Sequence, residues 1–537
     1  LAQGCLTALL FATAVWTAAG QGQERWPAAI YTSDAPPATP ALEDLPPVVR
    51  ITQHGITWRF AAPARAGRFV NGDWYVVGPV TVVDIEPRPL WGEAVGPRIN
   101  QGSVREDAYP GRQARNGSVL NPPVTGRDGG YNKGGYDSRL PSDRYDPALF
   151  AHLPIEMKPG DTLVSTISRP NDQITSFSGQ HVQPLQVAAT LTCVANPLPP
   201  DAFRPSYTDT ANSPIFLARN LRRNRLLTLP RPEGAPADLA AYAAAMQKPW
   251  LDTVCFGFAA PRDNLPRYGQ QLVERVGEAS LLLLLNYPPP EKEPLLVNFV
   301  QVGIDFWGLA RAGYQWYAHG GLYSGRKWPI LFAGLMLGDE RMQSPEKFAP
   351  TVVFHEDDQT AFAPFRYGDE TFAASWSGAR AIFRGHSPRA MGKKGDRHWN
   401  DGRGPLDVYP PSEWPARPNS YPASEGYRRS NTSSAWVAEA LAARILRAER
   451  VWNHDAFFAY VDRWMTEDDT RQVEAMKAAG FRDMTGPPLG EWPRQGAISG
   501  SGRAWVRTLW NTYRNQLPPP PPGVDASPTP RADETWK

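Results

Sequence analysis

WYAHGGLYSGRKWPILFAGLMLGD, Trp316 to Asp339, joins a glycine-rich polar loop to an almost wholly apolar helix pattern. The loop is Ala318-His319-Gly320-Gly321-Leu322-Tyr323-Ser324-Gly325, and the helix pattern runs Ile330-Leu331-Phe332-Ala333-Gly334-Leu335-Met336-Leu337. A helix that is apolar on every side belongs inside a large domain, with neighbours all round. The loop delivers a histidine, a tyrosine and the pair Arg326-Lys327 to the end of that helix. Ionisable groups placed there suit one wall of a ligand site at the mouth of a helical barrel.

The chain has 537 residues and is 42% hydrophobic, so more than one core is expected. The formal charge of +2 sets up no strong field for nucleic acid or an anionic membrane. Residues 5–19, CLTALLFATAVWTAA, end in Ala18-Ala19-Gly20 and read as the apolar core of a secretory leader, 1–20. The run is too short to span a bilayer, and no later stretch qualifies. A secreted or periplasmic protein with no membrane span is expected. Cys193 and Cys255 lie outside the leader, and one disulfide between them is conceivable; no zinc-ligand spacing occurs.

A Pro/Ala-rich linker, 21–46, precedes a change of pattern. Short β-branched and aromatic runs such as Ile56–Phe60, Trp74–Val77, Val80–Val83, Thr162–Ile167 and Leu185–Val194 are separated by Gly, Asn and Asp. Residues 47–205 therefore predict an antiparallel β-sandwich domain. From 206 to 516 helical patterns take over, including stripes over 270–285, 295–312, 434–448 and 504–516. Successive helices of this kind predict hairpins closing into an all-α, (α/α)-toroid-like domain. The fold class expected is α+β multidomain, with a disordered Pro-rich tail over 517–537.

Residues 343–430 form an irregular stretch inside the helical region, and four of the eight histidines fall between 319 and 398. A loop of that size is normally functional or disordered. Elimination from a uronate needs a group that neutralises the carboxylate, a base for the α-proton and an acid for the leaving oxygen. Tyr427, His319 and His386 are candidate acid–base groups; Arg326, Arg428 and Asn431 are candidate carboxylate partners, with Tyr323, Trp376 and Arg384 as further substrate contacts. Hydrolysis instead needs two carboxylates, roughly 5 Å apart for retention or about 6.5–9.5 Å for inversion. Glu356, Asp357 or Asp358 could supply one and Glu425 or Asp407 the other, with His355 a further candidate catalytic residue; the acidic run also suits a structural Ca²⁺. No phosphate loop or dinucleotide fingerprint is present, and no cofactor or catalytic metal is expected.

Two blocks, Phe69–Gly78 and Ser434–Trp436 through Trp452–Phe457 and Tyr460–Arg463, resemble a group of exported bacterial proteins of unassigned activity. The predicted architecture is also similar to that of secreted toroidal polysaccharide lyases and glycosidases with an N-terminal β domain. That likeness implies a polysaccharide or oligosaccharide substrate. Three functions are expected in order: a lyase acting on an acidic glycan, an inverting glycoside hydrolase of the (α/α) type, and a non-catalytic glycan-binding protein.

Overall fold

The computed structural model describes residues 29–92, 98–100, 103–105, 111–126, 132–140, 144–173, 183–252, 261–264, 268–367, 370–385, 406–416, 425, 427–479, 493–520 and 523. The expected leader, His386, the Lys393–His398 cluster, Cys255 and nearly all of the expected tail lie outside the described residues, as does the side chain of Tyr427.

Eight strands of the N-terminal half pair into one sheet. They are β1 (Pro47–Gln53), β2 (Ile56–Arg68), β3 (Trp74–Val77), β4 (Val80–Glu86), β5 (Ser118–Leu120), β6 (Ile155–Met157), β7 (Thr162–Ser168) and β8 (Leu185–Val194). The order is β6-β4-β2-β3-β8-β7-β5, with β1 also paired to β2. β2 is 13 residues long and pairs β4 over its first half and β3 over its second. Its alternation puts Ile56, Trp58 and Phe60 inside.

The expected antiparallel sandwich is corrected here. β3 runs parallel to β8, Leu191 opposite Trp74 through Val194 opposite Val77, so the sheet is mixed and curls into a half-barrel. Alternation along a strand shows which face is buried, but not which strand lies beside it. One face carries its own core, with Ile51, Trp58, Val82, Leu163 and Leu191. From the other face the packing is against helices. Val70, Val119, Val164, Leu185 and Ala188 pack into the same core as the helices.

Among the described residues the α-helices of five residues or more are α1 (Ala240–Gln247), α2 (Gly269–Leu284), α3 (Pro289–Arg311), α4 (Lys327–Leu337), α5 (His355–Gln359), α6 (Val437–Ile445), α7 (Asp455–Thr466), α8 (Thr470–Ala478) and α9 (Arg503–Tyr513). In α4 every residue from Lys327 to Met336 is buried, as its all-round apolar pattern requires. It packs on α3, which in turn carries α1; α2 packs on α6. This is the second correction: among the described residues the helices form no toroid of successive hairpins. α6 is drawn onto α2 across about 150 residues of chain, where a Cβ on Gly277 would lie 2.6 Å from the Glu439 nitrogen. Only glycine permits that approach.

One buried ion network bolts the sheet to the helices. Arg204 bonds Asp73, just before β3, at 2.6 Å, and Asp305 of α3 at 3.0 and 2.6 Å. Gln53 and Asn71 add bonds to Asp73. No described helix is long and apolar enough to cross a membrane.

Candidate functional site

Between Tyr314 and Arg326 every residue is buried except His319, which is half-buried. Three separate segments meet the backbone around it: α5, Tyr268 and the turn at Asn431. The Ala318 amide donates to Asp358 Oδ2 at 3.0 Å, and the His319 amide lies 3.4 Å from His355 Nδ1. Gln359 Nε2 donates to the Gly320 carbonyl at 2.9 Å. The Gly321 amide donates to the Tyr268 phenol oxygen at 2.9 Å. A Cβ on Gly321 would sit 2.3 Å from the Asn431 carbonyl oxygen, so the glycine is what lets the 427–433 π-helical turn close on the loop. Arg384 follows the short strand Ala381–Phe383; its amide donates to the Gln359 carbonyl and its guanidinium lies 4.0 Å from Asp358. The half-buried groups at this rim are therefore His319, Tyr268, Asp358, Arg384 and Asn431.

Behind the rim lies an aromatic layer. Tyr323 is fully buried, its hydroxyl 3.3 Å from that of Tyr314 and its ring packed edge-on against Tyr317. His355 is fully buried too, and burial pushes it down to about 3, so it stays neutral. Its Nδ1 lies 3.3 Å from the Tyr317 carbonyl as well as near the His319 amide. It positions the loop and is not placed to reach a solvent-borne substrate.

Two arginines expected to contact substrate are committed elsewhere. Arg326 is fully buried, bonds Asp252 through Nη2 at 2.9 Å and Nε at 3.3 Å, and donates to the Leu322 and Ser324 carbonyls. Arg428 is fully buried on Glu425 at 2.9 and 2.7 Å. Burial alone would raise the Glu425 carboxyl, but Arg428 and Arg429 outweigh it and hold it at about 2. A guanidinium whose donors serve an internal carboxylate has no fork left for a uronate. Trp376 is half-buried, with the Arg471 guanidinium 5.4 Å from its ring centre.

The acidic run also divides. Asp357 takes the buried Lys327 ammonium at 2.5 Å and the Trp452 indole at 2.9 Å, while Asp358 turns to Ala318 and Arg384. Glu356 accepts the Gly325 amide at 2.6 Å. The three carboxylates thus point to three different partners, and among the described residues no group of three His, Cys, Asp or Glu is arranged to hold a metal. Cys193 is a buried free thiol.

Sequence reading passed over Tyr268 and Glu439. Tyr268 is the residue before α2, and no local pattern marks it; only the fold brings it to Gly321. Two cavities of about 650 Å³ open elsewhere, one beside Arg311 and Gln315 and one beside Val80 and Glu156, sharing Asn121. His319 lines neither. No family model, curated protein or solved structure matches this chain.

Proposed function

We propose that the chain is an exported enzyme that cleaves an acidic, uronate-containing glycan by β-elimination, with His319 taking the α-proton. The observation that supports this is the convergence of three α5 side chains and the Tyr268 phenol on the loop backbone around one half-exposed imidazole. Histidine is the side chain whose ordinary pKa lies closest to neutrality, which suits a general base. Asn431 and Arg384 are the half-buried groups at that rim suited to the substrate carboxylate, in place of the locked Arg326 and Arg428. The Tyr268 phenol, whose oxygen already accepts the Gly321 amide, keeps its own proton as the acid for the leaving oxygen. In the step proposed, the C5–H bond breaks to His319, a C4=C5 double bond forms, and the C4–O bond breaks with the proton from Tyr268.

Purified protein is incubated with alginate, pectate, glucuronan and glycosaminoglycans while absorbance of the unsaturated product is followed. A rise on one of them, lost in His319→Ala, is expected. Flat traces on all four overturn the reading.

Reducing ends released without unsaturated product would instead select a hydrolase.

A further inference from the structure

Beneath the loop, Glu356 of α5 and Glu439 of α6 both carry their carboxyls into the core. Both are buried, at 1% and 0% exposure. Glu356 Oε2 and both Glu439 oxygens meet no hydrogen-bond donor among the described residues. Two ionised carboxylates left so would be desolvated, unpaired and mutually repelling, a combination folded proteins do not sustain.

Among the described residues the neighbours supply no spare cation; Arg275 of α2 donates to the Asn264 carbonyl. On α5 itself His355 is neutral and Asp357 is taken by the Lys327 ammonium. From the loop comes Arg326, held by Asp252; from α4 comes Lys327, held by Asp357 and Glu346. From α2, packed against α6 at Gly277, comes Glu278, which accepts from Tyr242, Ser501 and Gly502. From α7 Tyr460 contacts Arg428 and Ser433, and Arg463 is held by Asp407 and Glu467. From α9 the charged residues are Arg503 and Arg507, and the Arg507 guanidinium donates to the Gly496 carbonyl. Burial, with the Glu356 and Asp357 carboxyls, pushes Glu439 well above the ordinary carboxylate range. A proton is the remaining way to neutralise the pair.

The pair also joins two parts of the site. Glu356 Oε1 fixes the Gly325 amide at the end of the loop, and the Trp436 indole, three residues before Glu439, donates to Ser324 at 3.2 Å.

We propose that Glu356 and Glu439 form a proton-holding carboxyl pair that docks the 316–326 loop onto α6, and that loss of the proton releases the loop. The device does not depend on the glycan reading and is tested without substrate. Burial and the neighbouring carboxylates raise both groups in the folded chain. The folded state therefore keeps protons that the unfolded chain has given up. The stabilisation is complete below the ordinary carboxylate value and is lost as pH rises through the folded value, about 7 for Glu356.

Thermal unfolding of wild type and Glu439→Gln is compared on the acid and alkaline sides of that pH. Wild type is expected to lose midpoint temperature as pH rises, and the isosteric neutral variant to lose less and to exceed wild type at the alkaline end. Equal slopes in the two proteins overturn the proposal. Amide exchange of 321–325, corrected for its intrinsic pH dependence, is expected to accelerate up to ~10-fold per pH unit above the transition in wild type; an unchanged corrected rate overturns it. Should Glu439→Gln not fold, infrared difference spectra of wild type decide: a protonated-carboxyl stretch present at acid and neutral pH and lost at alkaline pH supports the pair, and its absence at neutral pH overturns it.

Discussion

The Gly321 amide donates to the Tyr268 phenol oxygen at 2.9 Å, tying the loop that carries His319 to the residue that precedes α2. The two positions are 53 residues apart in the chain. Tyr268→Phe removes this acceptor and the proposed acid together. A loss of about 1 kcal/mol in stability is expected from the hydrogen bond. Turnover on the acidic glycan is expected to fall by ~10²-fold or more. Equilibrium denaturation and initial rates read the two effects separately.

His319→Ala is expected to abolish elimination while shifting stability by less than about 1 kcal/mol, because the imidazole is half-exposed and the bond to His355 uses the backbone amide. A variant that unfolds would place His319 among the structural residues. Circular dichroism beside the rate assay distinguishes the outcomes.

Arg326→Lys is expected to be a folding defect and not a binding defect. Lysine cannot reproduce the two-nitrogen contact with Asp252 or the bonds to the Leu322 and Ser324 carbonyls. Breaking one partner of a buried ion pair costs about 3–5 kcal/mol. A large drop in denaturation midpoint is the expected result, and a raised KM at unchanged midpoint would contradict it.

Arg204→Met leaves Asp73 and Asp305 buried without their shared cation, again a cost of about 3–5 kcal/mol. Because the sheet and the helices share one core, unfolding is expected to stay a single transition when followed by tryptophan fluorescence and by far-ultraviolet circular dichroism. Two separated transitions would show that the halves fold independently.

Cys193 sits with its sulfur 3.8 Å from the Met157 carbonyl, and burial pushes its thiol up to about 12. The thiolate is the reactive form. In native protein Cys193 is expected to resist alkylation near neutral pH and to react on unfolding, a contrast that mass spectrometry of the labelled peptide records.

What the sequence determined was local. The all-round apolarity of 327–337 specified a buried helix, the spacing of Leu272, Val273, Val276, Ala279 and Leu282 specified a helix buried along one stripe, and alternation over 56–60 specified a strand with one face inside. Each is a periodicity within a few turns or residues of chain. Pairing is not local, and the tertiary structure alone decided it. The parallel match of Trp74–Val77 with Leu191–Val194 made the sheet mixed, and the approach of α6 to α2 at Gly277 gave a helix pairing other than the expected hairpins. The same holds for charge. Arg326 and Arg428 look alike in sequence to any substrate-binding arginine, and only their burial against Asp252 and Glu425 assigns them to the scaffold. A side chain's chemistry is written in its type, but its protonation, its partners and its access to solvent are set by whichever neighbours the fold brings close, because electrostatic energy depends on distance in space and on dielectric, not on distance along the chain.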